Sequence, residues 1–257
     1  MTTPETKFQL TICGAVIALG VLSGCDPMYE RTNCPSYVVC YVDLASIKLT
    51  PEPTTPGCIL LEAENDFSKT YSLHSTGANQ ERYAQLCEKH KDLSYNQYRV
   101  IGGVLDRESV TYNDCDFSMI TINADMDFDE MHPAGTDLSD IVRFLSWSPY
   151  RYIISGYSAY YHYDKTDVSE AFDTIMRIYI SKVFFDKATD ATCYPIDKRV
   201  KDLTSEDLTL VGGDDALALL GMLYFEQSPS KQGEYNITVS IKTDDDRTLT
   251  DTVQMTF

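Results

Sequence analysis

The sequence is poor in basic residues, histidine and tryptophan, and each shortage narrows the functions that the chain can serve. Lys and Arg together number 21 against 39 Asp and Glu, which gives a formal net charge of −18 at pH 7. Because nucleic-acid binding needs a cationic surface, no nucleic-acid partner is expected. The chain has only four histidines, none of them near two cysteines, so a zinc site is not expected either.

The short motifs that carry common enzyme chemistry are missing as well. The sequence contains no G-x-S-x-G, no H-E-x-x-H, no P-loop and no G-x-G-x-x-G. Pairs of carboxylates that would suit a glycosidase arise easily by chance among 39 acidic residues. We therefore expect no enzymatic activity, no catalytic residue and no cofactor. A glycan-processing hydrolase is the enzymatic alternative.

The apolar stretch at residues 10–22 is too short to cross a membrane. Its 13 residues fall well below the roughly 20 that a membrane-spanning helix needs. It follows Lys7 and ends in a group of small residues, which is the pattern of the apolar region of a secretory signal peptide. The sequence therefore predicts export.

The residues that end this stretch, Leu22-Ser23-Gly24-Cys25, resemble the lipobox of bacterial lipoproteins. The resemblance implies that residues 1–24 form a signal peptide and that Cys25 becomes the lipidated, palmitate-bearing first residue of a tether at 25–33. The acyl chains would hold the protein on a membrane. The expected location is the bacterial cell envelope, at the outer membrane, with the leaflet left open. The alternative is an ordinary signal cleavage that leaves Cys25 as a thiol.

The composition of the mature chain favours strands. Eighteen Tyr and ten Phe stand among frequent Val and Thr. The clearest pattern is at the end of the chain, where apolar residues alternate with polar ones on both sides of the turn at 243–247. This alternation predicts a β-hairpin with one buried face, made by Tyr235, Ile237, Val239 and Ile241 on one arm and Leu249, Val253, Met255 and Phe257 on the other.

Two segments have the spacing of amphipathic helices. Residues 79–91 place Tyr83, Leu86, Cys87 and His90 on one face. Residues 133–147 place Leu138, Ile141, Val142 and Leu145 on one face, after an N-cap at Thr136 or Asp137. Further strands are predicted near residues 37–49, 58–64, 98–105, 117–128 and 175–185 and within 148–165, and a helix at 169–178 is an alternative.

Six cysteines follow Cys25 and could form disulfides after export. They are Cys34, Cys40, Cys58, Cys87, Cys115 and Cys193. An oxidising compartment allows up to three disulfides in 15 possible pairings, and we expect at least one to form.

Three aspartates at alternate positions raise the question of calcium. Asp125, Asp127 and Asp129 have the spacing of the first EF-hand ligands. Glu130 stands where an EF-hand requires Gly, and Thr136 stands where it requires Glu. The EF-hand interpretation fails, and no metal site is assigned; a looser surface calcium site is the alternative.

Tyrosines crowd the segment from 150 to 163, close to the sole tryptophan. Such aromatic residues could stack on sugars or contact a protein partner. They could equally be core residues and cross-strand pairs. The candidate ligand-contact residues are Trp147, Tyr150, Tyr157, Tyr160 and Tyr161.

Most of the mature chain resembles an uncharacterised family of Bacteroidetes-type envelope lipoproteins, a domain of unknown function. The resemblance is carried by the lipobox, the segment at 34–49, the central Asp127, Phe128, Pro133, Ala134, Gly135 and Leu138, and the closing hairpin. It implies no activity and no catalytic residues. We expect residues 34–257 to form one mainly β, immunoglobulin-like sandwich with one to three short helices. The expected role is non-catalytic binding or assembly, with a glycan or an envelope protein as partner; a purely structural lipoprotein is a further alternative.

Overall fold

Two β-sheets face each other in the computed structural model of this chain, which describes residues 31–100, 110–162, 165–173, 192–212 and 219–257. A third, two-stranded ribbon lies beside them. The predicted signal peptide and Cys25 lie outside the described residues, as does the strand predicted at 175–185.

The strands are short to medium in length, apart from one of 15 residues. They are β1 (Arg31–Cys34), β2 (Cys40–Pro51), β3 (Cys58–Ser72), β4 (Gln97–Val100), β5 (Thr111–Asn113), β6 (Phe117–Ala124), β7 (Val142–Ser148), β8 (Tyr194–Arg199), β9 (Leu219–Phe225), β10 (Glu234–Thr243) and β11 (Thr248–Thr256). Helix α1 spans Ala78–Lys89 and helix α2 spans Tyr150–Ile154. Strand β1 takes in the last residues of the predicted tether.

The larger sheet has six strands in the order β5-β2-β3-β9-β7-β8. Its neighbours run antiparallel except β2 and β5, which are parallel. In the middle of the sheet β9 contains Gly221, where a Cβ atom would lie 2.7 Å from the carbonyl oxygen of Leu145. Only glycine allows β9 and β7 to approach this closely.

The smaller sheet has the order β11-β10-β6 and contains the predicted hairpin. Ile237 lies opposite Val253, and Ile241 lies opposite Leu249. Their side chains are buried against the larger sheet, while the alternate side chains of both strands point to solvent. The hairpin prediction is confirmed.

The core between the sheets contains the apolar side chains of both inner faces. Phe128, Phe144 and Ile237 are fully buried there. A second apolar cluster lies between α1, the start of β2 and α2, and a third surrounds Trp147. The predicted helix at 79–91 is confirmed as α1, with Tyr83, Leu86 and Cys87 buried in the second cluster.

On one side of the sandwich β2 and β11 lie next to each other without forming a ladder, and side chains join them instead. The backbone N–H of Leu49 donates to the Asp251 carboxylate at 2.8 Å. The guanidinium of Arg247 donates to the carbonyl oxygen of Leu44 at 2.8 Å. We call this region the β2–β11 junction.

The helix predicted at 133–147 is wrong. A single helical turn follows Leu138, and the chain then extends into β7, which pairs with both β8 and β9. Because β7 is an inner strand covered on both faces, its apolar residues do not alternate. A short apolar run of this kind has no period that separates a buried strand from a helix.

The mainly β sandwich with short helices is confirmed, but the immunoglobulin-like arrangement is not. A constant-type immunoglobulin domain has antiparallel sheets of four and three strands. Within the described residues the sheets have six and three strands here, and one pair is parallel.

Four of the six cysteines that follow Cys25 form no disulfide, so three disulfides among the six are excluded. Cys40, Cys58, Cys87 and Cys115 are free thiols. The last three lie in three different apolar clusters, which keeps their sulfur atoms apart.

Candidate functional site

The tyrosine-rich segment begins with helix α2 and then turns sharply back. Gly156 and Tyr157 both have positive φ angles, 72° and 59°. The reversal is held by the N–H of Tyr157, which donates to the carbonyl oxygen of Tyr152 at 3.0 Å. A positive φ is unfavourable for a residue as large as tyrosine, so its surroundings must fix it.

Asp92 supplies much of that fixation. Its carboxylate is fully buried and accepts hydrogen bonds from the backbone N–H groups of Tyr37 and Val38, at 2.6 and 2.8 Å, and from the Tyr157 hydroxyl at 2.8 Å. Burial raises the pKa of Asp92, although these hydrogen bonds oppose the rise. The carboxylate therefore connects the loop after α1 to the residues just before β2 and to the turn after α2.

The rings above Asp92 form a connected aromatic cluster. Tyr95 lies 5.1 Å from Tyr157 and 5.6 Å from Tyr37, measured between ring centroids. Tyr152 lies 5.3 Å from Tyr37 and 5.1 Å from Tyr160. Most of these pairs are edge-to-face, the arrangement that aromatic rings prefer in protein cores.

Three large apolar side chains on the same segments remain exposed. Leu93, Ile154 and Tyr160 have 58, 43 and 41% of their surface accessible. Leu93 follows Asp92 directly, and Ile154 and Tyr160 lie on either side of the Gly156–Tyr157 reversal. Together with the half-buried Tyr95, whose ring contacts Tyr157, these residues lie on the two segments that Tyr157 and Asp92 join, and we call them the tyrosine face.

Four phenol hydroxyls in and around this face are hydrogen-bonded within the protein. The Tyr157 hydroxyl donates to Asp92, and the Tyr194 hydroxyl donates to the carbonyl oxygen of Ala159 at 2.7 Å. The hydroxyls of Tyr152 and Tyr160 lie 3.3 Å apart and bond to each other. These hydroxyls therefore already have partners in the protein itself.

The five candidate residues from the sequence do not share one accessible surface. Tyr160 is exposed, Tyr150 and Tyr161 are half-buried, and Trp147 and Tyr157 are buried. The Trp147 ring packs 5.0 Å from Phe172 in the third cluster. Of the five, Tyr160 belongs to the tyrosine face and Tyr157 supports it from below.

Sequence reasoning missed Leu93, Tyr95 and Asp92. They come from the loop after α1, about 60 residues before the tyrosine-rich segment. No local pattern indicates that the two segments meet, because the meeting depends on the long-range hydrogen bonds of Asp92.

A second polar arrangement has the order of an acid–base relay. The Tyr41 hydroxyl lies 3.0 Å from Nδ1 of His90, and Nε2 of His90 lies 3.0 Å from Asp116. Lys89 also contacts Asp116 at 2.7 Å. Hydrogen bonds from His90 and the charges of His90 and Lys89 outweigh burial and lower the pKa of Asp116. Tyr41 and His90 are almost inaccessible to solvent, so this chain of hydrogen bonds from Tyr41 to Asp116 serves packing rather than chemistry on a substrate.

The three aspartates of the calcium hypothesis do not converge. Asp127 accepts from the N–H of Ala134 at 2.8 Å, and Asp125 accepts from the backbone and side chain of Asn236. Within the described residues, no group of three or more His, Cys, Asp and Glu side chains is placed to hold a metal ion.

In the part of the chain that the structure describes, no helix is both long enough and apolar enough to cross a membrane. Comparisons with protein-family models, with curated proteins and with solved structures give no match for this chain. We therefore infer its function from its own residues.

Proposed function

We propose that this protein is a lipid-anchored, non-catalytic binding or assembly module of the bacterial cell envelope. Cys25 carries the lipid, and the tyrosine face is the binding surface. The protein belongs to the outer membrane and resembles the uncharacterised envelope lipoproteins described above.

The observation that carries the proposal is the exposure of Leu93, Ile154 and Tyr160 on a rigid aromatic base. Apolar side chains that cluster on a surface commonly mark a place of contact with a partner. Beneath them the Tyr157 ring is held by Asp92 and packs against Tyr95 and Tyr152, so little of its side-chain freedom is lost when a partner binds.

The anchor is tested by replacing its cysteine. We expect Cys25→Ser to abolish the incorporation of labelled palmitate and to release the protein from the membrane fraction, since a serine cannot form the thioether that holds the lipid. If the variant still fractionates with membranes and still takes up label, the lipobox assignment is wrong.

The binding surface is tested with Tyr160→Ala, and Met131→Ala is the matched control. Met131 is the more exposed of the two, with 82% of its surface accessible, and it lies outside the tyrosine face. We expect only Tyr160→Ala to weaken binding, measured in parallel on a glycan array, on lipid vesicles and by crosslinking to envelope proteins. Glycan hydrolysis that depends on a pair of acidic residues would contradict a non-catalytic role.

A further inference from the structure

The first described strand, β1, ends beside the tyrosine face. Strand β1 ends at Cys34, and the next residue, Pro35, accepts a hydrogen bond on its carbonyl oxygen from the N–H of Tyr95 at 2.8 Å. Two residues later, Tyr37 contacts Tyr95 through its ring. Residues 34–37 and the tyrosine face thus lie at the same end of the molecule.

Covalent geometry limits how far this end can be from the membrane. Ten residues separate Cys25 from Pro35, and at full extension they span at most about 35 Å. A folded chain of the 233 residues after the signal peptide is roughly 45 Å across. The tyrosine face is therefore held within less than one molecular diameter of the bilayer.

The chemistry of the face suits the boundary between lipid headgroups and acyl chains. Tyrosine is enriched at this boundary in membrane proteins, and leucine and isoleucine are the side chains that enter it most readily. The hydroxyl of the exposed Tyr160 is already bonded to that of Tyr152, which leaves one donor fewer for a sugar and favours a lipid surface over a glycan. Lys91 is exposed two residues before Leu93 and suits a lipid phosphate.

We propose that the tyrosine face docks on the bilayer into which the Cys25 lipid inserts, and that this contact fixes the orientation of the domain. The inference rests on the proposed function, because the face is too small to hold the protein on a membrane by itself. A short tether raises the effective concentration of the bilayer at the face to about the millimolar range, so a weak contact is enough to keep the face docked.

The test uses the lipidated full-length mature protein in phosphatidylcholine–phosphatidylglycerol vesicles that contain lipid brominated near the headgroup. Tyr160→Trp introduces a reporter in the face, and Met131→Trp introduces one on another exposed loop. Trp147 stays in both variants, and the unsubstituted chain gives its background. We expect quenching of the reporter at 160 to exceed quenching of the reporter at 131 by at least about threefold, because only the first enters the boundary region.

A third variant, Ile154→Asp combined with Tyr160→Trp, should reduce the quenching to the level of the control while palmitate labelling of Cys25 is unchanged. Equal quenching at 160 and 131 in labelled protein overturns docking but leaves the anchor intact. If Cys25 takes up no labelled palmitate, the proposed function itself is wrong. Because palmitate labelling and quenching are measured separately, the two failures can be told apart. Glycan or protein binding that is lost with Tyr160→Ala, with no quenching at 160, assigns the face to that partner and overturns docking.

Discussion

His132 is held by a carboxylate at each of its ring nitrogens. Nδ1 lies 2.7 Å from Asp129, and Nε2 lies 2.9 Å from Asp140. A neutral imidazole can donate only one of these hydrogen bonds, whereas the protonated ring donates both. Partial burial opposes the charge, but the two carboxylates outweigh it and raise the pKa of His132.

This geometry predicts a pH dependence that a neutral side chain removes. The ring contributes its full stabilisation below its unfolded pKa of about 6.5, and the contribution is lost as the pH rises through the raised folded pKa. We expect the urea midpoint of the native chain to fall relative to that of His132→Gln between about pH 6 and pH 9. The exposed His74 provides the control, because His74→Gln should leave the pH dependence of the urea midpoint as it is in the native chain. If His132→Gln leaves this dependence unchanged as well, the His132 ring is not charged and the prediction is wrong.

At the scale of the element, the closing hairpin is the best test of the core. Val239 on β10 is fully buried, and its neighbour Ser240 faces outward with its side-chain hydroxyl 2.9 Å from that of Thr250. We expect Val239→Ala to cost about 1 to 4 kcal/mol of unfolding free energy, and Ser240→Ala about 0.5 kcal/mol. Denaturant melts measure both, and equal losses would contradict a one-sided hairpin.

The hairpin could be predicted because both of its strands have one face against the core and the other face in solvent. Each strand then buries every second residue, and nine residues of this alternation are unambiguous. Strand β7 could not be predicted in this way. It is paired along both edges and covered on both faces, so its buried residues do not alternate with exposed ones. The sequence pattern reports the surroundings of a strand as much as the strand itself.

The tyrosine face was only partly predictable for a related reason. The segment that carries Tyr160 stands out by composition, so sequence reasoning finds it. Leu93 stands beside it only because the Asp92 carboxylate joins three distant segments. A contact made by one buried side chain across 65 residues leaves no periodic trace.

At the scale of the whole molecule, Cys40, Cys58, Cys87 and Cys115 are buried or half-buried thiols. Burial raises the pKa of Cys40 and Cys87 to about 11 and that of Cys58 to about 12. Since the thiolate is the reactive form, these cysteines should react slowly with a thiol reagent at pH 8 and rapidly after unfolding.

The control for this prediction is Thr250→Cys, which places a thiol on the exposed side of β11 and should react at once. Mass spectrometry of the unreduced, unfolded protein counts the thiols independently. Rapid labelling of the native chain, or fewer than four thiols, would contradict the structure. A single disulfide would meet the expectation drawn from the sequence without contradicting the four free thiols.

The β2–β11 junction gives the sandwich one side that opens differently from the rest. Elsewhere, separating strands breaks a ladder of backbone hydrogen bonds. Here, within the described residues, the joining bonds are those of the Asp251 carboxylate and the Arg247 guanidinium. Acid or high salt weakens such bonds and leaves ladders intact. Partial unfolding should therefore begin at this side, where Leu49 would exchange its amide hydrogen for deuterium before Ile237 does.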